Sequence, residues 1–395
     1  MPERAVAFLS SYVPRECGVG TFARDLSTGV DQARPERPSV IVAINDPDGQ
    51  YDYSRKVVFE VDQGLPETYV EAARYLNKQK SVKLVSVQHE FGLYGEFRDG
   101  AVTRDHLAPF LRELKKPSVV TLHTVLPNPG DNLRQKVREI YELSSASVVM
   151  VNMAAMILAE DYGLAEQNDV GMFAPPSKLR TIPHGVPNIA LPKRGGHLKR
   201  ALHQDAIIST FGLLSPGKGL EYVIQAMPMI LEQHPNTIYL VLGTTHPDLR
   251  RHQGENYRNY LLELVHDLKL EKHVRFNNRF LPQTELVQYL KATDVYVTPY
   301  LNRNQITSGT LAYALGCGKA IISTPYLYAQ EALAEGRGLL AEFRSPESIA
   351  NCVNQILATP GLKEHMQAQA AVYGAEMSWR RVAERYLELF DEMAA

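Results

Sequence analysis

Cysteine is scarce in this chain. Cys17, Cys317 and Cys352 are the only three in 395 residues. An odd number at such wide spacing excludes a disulfide framework and a cysteine metal knuckle, and it suits a reducing cytoplasm. Charge of one sign is also lacking: 42 Lys and Arg stand against 44 Asp and Glu, a formal net charge of −2. That balance builds no strong field for nucleic acid or an anionic membrane. No apolar run approaches the roughly 20 residues that span a bilayer. The opening MPERAVAFLSSYVPRE has no signal-peptide layout. Cytoplasmic residence without a transmembrane segment is the expectation, with peripheral membrane contact left open. Low-complexity tracts and repeats of solenoid period are missing as well.

What is present is a 45% hydrophobic chain, long enough for two or three domains. Short β-branched runs alternate with amphipathic stretches. In the first half the strand candidates are AVAFLSSY, PSVIVAI, KLVSVQHE, SVVTLHT, SVVMVN and KLRTIPHG. Helices are expected near residues 19–32, 66–79, 101–115, 131–145 and 153–163. The pattern pauses over the Pro-, Gly- and Lys/Arg-rich stretch PNIALPKRGGHLKRALHQ, then resumes with AIISTFG, TIYLVLG, VRFNNR, DVYVTPY, AIIST and GLLAEF. Such alternation predicts parallel, doubly wound α/β sheets, and continuous apolar strands agree because both faces are covered. Two Rossmann-like domains, 1–188 and 205–376, are expected to face each other across a cleft. Residues 189–204 would link them, and a terminal helix over 377–395 would follow.

Polar residues cluster where these strands end, which is where open α/β sheets bind ligands. The segment Asn304-Gln305-Ile306-Thr307-Ser308-Gly309-Thr310 follows DVYVTPY and opens a helix. Free N–H groups and a positive dipole end suit a phosphate there. Gly217-Lys218-Gly219 follows the first strand of the second domain, and Lys218 is a point charge for the same anion. Gly18-Val19-Gly20 lies after strand one; taken alone, a plain strand–helix turn accounts for it better than a ligand site, since the full dinucleotide fingerprint is missing. Gln88-His89-Glu90 and His123 end two further strands and are candidates to orient hydroxyls or move protons, or to anchor their loops by hydrogen bonds. His184 reads as a hinge residue. Thr245 and His246 follow TIYLVLG, and Tyr296, Tyr300, Tyr326 and Tyr328 are aromatics for a carbohydrate rim or for the core.

Taken in order, these elements resemble the family-4 retaining glycosyltransferases of the GT-B fold over nearly the whole chain. The likeness rests on Gly18-Val19-Gly20, on the Gly212–Gly219 lysine turn, on the helix ending Ala314 to Gly318, and on the Ser378-Trp379 helix. The resemblance implies transfer of a hexose from a nucleotide sugar to a carbohydrate or other hydroxyl acceptor, with retention and without metal or cofactor. It implies a donor site on the second domain, an acceptor site on the first, and a terminal helix that crosses back to brace the first domain. Lys218 would neutralise donor phosphates cradled by the amides of Ser308, Gly309 and Thr310. His123 would lie by the transferred sugar, with Gly18, Gly20, Asn304 and Thr307 completing the donor site. His89, Glu90, Thr245 and His246 are expected at the acceptor or sugar.

Three positions depart from that pattern. Leu213 stands where the family usually has arginine, and the E-x7-E carboxylates fall on Gln305 and Tyr313. Gln305 can still reach the sugar through its amide. Tyr313 cannot grip a ribose as a carboxylate does; losing such a charged contact removes about 1.5–3 kcal/mol, roughly 10- to 100-fold in affinity. A retaining phosphorylase that uses phosphate or sugar 1-phosphate therefore competes with the transferase, ahead of a non-catalytic binding protein. A homo-oligomer is compatible with all three.

Overall fold

The computed structural model describes residues 5–47, 49–167, 173–174, 176–187 and 205–395. The expected linker over 189–204 lies outside them. The chain forms two compact units, Met1–Gly185 with Trp379–Ala395, and Val186–Ser378. The sequence reading put the first boundary at 188 and the second at 376, three and two residues away from these limits.

Strands of the first unit are β1 (Ala5–Ser10), β2 (Val40–Asn45), β3 (Val57–Asp62), β4 (Val82–His89), β5 (Gly95–Arg98), β6 (Ala101–Asp105), β7 (Ser118–Leu122), β8 (Ala146–Val149), β9 (Glu166–Gln167), β10 (Phe173–Ala174) and β11 (Leu179–Thr181). Seven of them form a parallel sheet in the order β11-β8-β7-β4-β1-β2-β3. Strand order reverses between β1 and β4, so their carboxyl ends open a crevice beside the helix Gly18–Ala33.

One expectation fails locally. The helix foreseen over 101–115 is the antiparallel β5–β6 pair followed by a short helix, Leu107–Glu113. Asp99 and Gly100 both take positive φ, 50° and 81°, at the tip of that hairpin. Asp-Gly favours such a turn because both central residues must enter the left-handed region. β3 was also missed, since VVFEVD is a half-buried edge strand whose apolar run is broken by an exposed Glu60.

The last helix, Trp379–Ala394, belongs to this first unit. Val382, Tyr386 and Phe390, four residues apart, pack with Phe8, Phe22, Leu26 and Val30. Each such side chain contributes about 1.5–3 kcal/mol when fully buried. Contact is close enough that a Cβ on Gly29 would stand 3.0 Å from Ala383 Cβ. Tyr386 Oη also shares a 3.0 Å hydrogen bond with Thr121 Oγ1.

The second unit holds β12 (Ala206–Phe211), β13 (Thr237–Leu242), β14 (Val274–Asn277), β15 (Val295–Thr298), β16 (Ala320–Ser323) and β17 (Leu339–Leu340). They form a parallel sheet ordered β14-β13-β12-β15-β16-β17, with a switch point between β12 and β15. Ile208, Val241, Val295 and Ile322 share one core with Val223, Met227, Ile230 and Val353 from the helices Leu220–Gln233 and Pro346–Ala358. Among the described residues no helix is long and apolar enough to cross a membrane.

Candidate functional site

The switch point of the second unit brings together two segments that are far apart in sequence. β12 leads into the turn Gly212–Gly219, and β15 leads through residues 299–308 into the helix Gly309–Gly316. Glycine makes the approach possible. A Cβ on Gly219, at φ 64°, would fall 2.2 Å from the Pro299 carbonyl oxygen. One on Gly243, at φ 137°, would fall 2.0 Å from the carbonyl oxygen of Gly212. The Leu301 amide donates to the Gly217 carbonyl at 3.0 Å, tying the lysine turn to the β15 loop.

Lys218 ends a single 3-10 turn, with the following helix beginning at Leu220. Its Nζ lies 3.8 Å from the centre of the Tyr300 ring. Burial without a compensating anion pushes its pKa down to about 8. It lines a solvent-open recess of about 220 Å³ together with Gly212, Leu213, Leu214 and Tyr300. The Tyr300 hydroxyl is 2.6 Å from Thr310 Oγ1, which is 3.2 Å from Ser308 Oγ. Ser308 is the N-cap: its Oγ accepts from the Leu311 amide at 3.3 Å, and its carbonyl accepts from Ala312. The amides of Gly309 and Thr310 precede the first intrahelical bond and keep their capacity for an anion. A half-buried cation and a helix start thus meet through one tyrosine.

The other residues expected at the donor are placed differently. Gln305 is half-buried and its Nε2 donates to the Thr307 carbonyl at 3.0 Å, while Asn304 is exposed. Tyr313 is buried, its hydroxyl accepting from Gln283 Nε2 at 3.1 Å and its ring centre 6.1 Å from that of Phe211. Gln283 carried no sequence signal, because it opens the helix Gln283–Ala292 and lies 30 residues from its partner. Thr245 Oγ1 donates to Glu255, which also pairs with Arg258 at 3.3 Å. Arg258 Nη2 in turn holds the Gly243 carbonyl at 2.8 Å. Thr245 is therefore already engaged in supporting the strand end, and His246 is exposed at the start of the helix Pro247–Gln253.

In the first unit, the β1–β4 switch point gathers the remaining candidates. Helix Gly18–Ala33 starts directly at the first glycine of the loop. A Cβ on Gly20 would press to 3.3 Å from the Ser11 carbonyl, whereas one on Gly18 would meet open space. Gly20 thus has a packing reason to be glycine. Gln88, His89 and His123 are all buried. Gln88 Nε2 donates to Ser86 Oγ at 3.2 Å, so its Oε1 accepts, and His123 Nε2 at 3.0 Å must carry the hydrogen. His123 Nδ1 is then the unprotonated acceptor. Burial, with a smaller contribution from His184 and His89, lowers its pKa to about 3. His89 is lowered to about 3 and His184 to about 4, again by burial.

Glu90 accepts from Thr124 Oγ1 at 2.6 Å and from the Phe91 amide at 3.1 Å. Burial outweighs both and raises its carboxyl pKa. His89 stacks on Tyr94 with ring centres 5.5 Å apart, and its Nδ1 is buried without a partner. His184 lies edge-on to Phe22 at 5.1 Å and its Nδ1 bonds the Gly185 carbonyl at 2.7 Å, so it is packed into the first unit's core. Among the described residues no group of three or more His, Cys, Asp and Glu could hold a metal ion.

Residues 199–372 match the model of the family described as "Glycosyl transferases group 1". A D-inositol 3-phosphate glycosyltransferase of Corynebacterium urealyticum is 26% identical over 270 residues, 66% of this chain and 61% of that one. Across the curated relatives the match spans 42% to 66% of their length. The architecture superposes on Anabaena HepE, solved with UDP and glucose, at a TM-score of 0.74, with 14% identity over 98% of this chain and 100% of that one. It superposes on the sucrose-phosphate synthase of Thermosynechococcus elongatus at 0.74, with 18% identity over 98% and 99%. The fold is therefore α/β of the GT-B type, two units each built on a parallel sheet flanked by helices.

Proposed function

We propose that this protein is a glycosyltransferase that moves a hexose from a nucleotide-sugar donor to a hydroxyl acceptor, with retention and without a metal. The observation that carries this reading is the Lys218–Tyr300–Thr310–Ser308 chain at the switch point. A desolvated ammonium and two helix-start amides supply positive potential where a leaving diphosphate develops charge. Both are fixed in place before the charge develops, so little reorganisation is needed when it does. The family match over the same unit and the UDP and glucose bound by HepE support the assignment. The donor is assigned to the second unit and the acceptor to the first.

His123 serves as a neutral hydrogen-bonding group through Nδ1, not as a titrating acid. Gln305 offers an amide where a donor sugar hydroxyl would be read. His89 and Glu90 form the base of the acceptor side, with Glu90 the more exposed of the two.

Tyr313 favours one alternative. It is a phenol where a carboxylate would grip a ribose, and its hydroxyl is already engaged with Gln283 while its ring packs near Phe211. A phosphorylase using inorganic phosphate or a sugar 1-phosphate needs no such carboxylate. Titration calorimetry with UDP, GDP, ADP, glucose 1-phosphate and inorganic phosphate separates the two. Nucleotide binding supports the transferase; binding of phosphate and sugar phosphate alone overturns it in favour of the phosphorylase. Glycan affinity alone points to a binding protein.

A further inference from the structure

The Lys218 site contains one residue that no phosphate would need to touch and that still meets both halves of the site. Tyr300 is 1% exposed and lies on the loop between β15 and the phosphate-facing helix. Its ring face carries the Lys218 ammonium at 3.8 Å, while its hydroxyl reaches Thr310 at 2.6 Å. The ring is also stacked on Tyr326, centres 5.6 Å apart and planes 16° from parallel. Its own carbonyl is held by Thr324 Oγ1 at 2.5 Å. The ring therefore cannot swing away, and a lysine on four flexible carbons is given a fixed electron-rich surface to rest on.

We propose that Tyr300 is a positioning residue that holds Lys218 and the Thr310 helix start in register for one diphosphate, by its ring toward the lysine and its hydroxyl toward the helix. The proposal rests on the donor reading given above. The two contacts have different consequences. Without the ring, the ammonium has neither anion nor aromatic face in the empty site, and it must be ordered when the phosphate arrives. That ordering lowers affinity. Without the hydroxyl, Thr310 loses one partner but the lysine keeps its surface. Burial holds the Tyr300 phenol neutral, its pKa pushed up to about 12, so the ring acts as an uncharged face over the whole working range.

The test is a double-mutant cycle read by calorimetric binding of UDP and of inorganic pyrophosphate. Tyr300→Phe should weaken both ligands by about two- to threefold, and wild-type affinity in that variant would overturn the hydroxyl's role. Tyr300→Met should weaken both about tenfold, while Lys218→Ala/Tyr300→Met should bind no worse than Lys218→Ala alone. Equal losses for the Phe and Met variants, or losses that add fully to Lys218→Ala, would overturn the ring's role. If the Met variant does not fold, Tyr300→His keeps a planar ring and should bind as the Phe variant does; tenfold loss there overturns the inference. A wild-type protein that binds neither ligand sinks the donor reading itself, whereas wild-type binding with indifferent Tyr300 variants sinks only this inference.

Discussion

The two switch points handle buried polar groups in opposite ways. In the second unit a cation is desolvated with only a ring face beside it, and helix amides are left open. In the first unit three histidines are buried among Phe22, Phe91 and Tyr94 and driven neutral. One site keeps charge at a cost in stability; the other gives charge up and keeps hydrogen-bonding shape. The contrast separates electrostatic work from geometric work. Charge is retained where an anion would have to be neutralised, and neutral acceptors are retained where hydroxyls would have to be oriented.

The largest effect should come from Lys218→Ala. Loss of one charge-assisted phosphate contact, about 1.5–3 kcal/mol, should lower kcat/KM about 100-fold. The melting temperature should hold or rise, because an unpaired, desolvated ammonium is removed. Steady-state kinetics and a thermal melt check both; near-normal turnover in a folded variant removes the contrast. His123→Ala should come next, lowering transfer roughly tenfold, about 1.4 kcal/mol, while leaving the Kd for UDP unchanged. His184→Ala should lower stability by about 2 kcal/mol with intact kinetics of the folded fraction. Unchanged kinetics in the His123 variant would make the two histidines alike and purely structural.

pH should pull the units in opposite directions. Lys218 has a folded pKa of about 8, below its ordinary 10.5, so its charge fades above pH 8 and phosphate affinity should fall about tenfold per unit beyond that. His123 and His89 are lowered from 6.5 to about 3. The unfolded chain binds more protons between those values, so stability is full above pH 6.5 and should drop about 1.4 kcal/mol per unit per histidine as pH falls toward 3. Binding titrations from pH 7 to 10 and denaturant melts from pH 7 to 4 read the two arms. A flat profile in either breaks the corresponding half. The smallest effect should follow Ser308→Ala, which removes the N-cap: about 1 kcal/mol of stability and a few-fold weaker phosphate binding, read by melt and calorimetry.

Most of the sheet framework was legible. All six strands of the second unit and six of the first unit's seven sheet strands read as β-branched runs, because buried parallel strands are apolar on both faces. The second strand of the hairpin, Ala101–Asp105, was misread as the start of a helix over 101–115 although Asp99-Gly100 carried the turn signal. That Lys218, Ser308 and Thr310 would lie together at a strand end was legible, because a glycine-flanked lysine and a run of hydroxyl residues each follow an apolar strand. Tyr300's bridging role and Gln283's hold on Tyr313 were not, since each joins residues 10 to 82 positions apart. Thr245 illustrates the converse: a polar residue at a strand end is expected to face ligand, but its hydroxyl is bonded to Glu255, which pairs in turn with Arg258.

By itself the sequence determined where strands, turns and helix starts would fall, since those depend on period, β-branching and the few residues that tolerate tight turns. It also determined that Gln305 and Tyr313, not carboxylates, would stand on the segment that opens the helix after β15. Only the tertiary structure decided what those residues touch. Whether Lys218 rests on a ring, whether Tyr313 is open or bonded, and whether His123 is charged depend on distances and burial set by distant segments. Electrostatic energy varies with dielectric and separation, neither of which is written in local sequence.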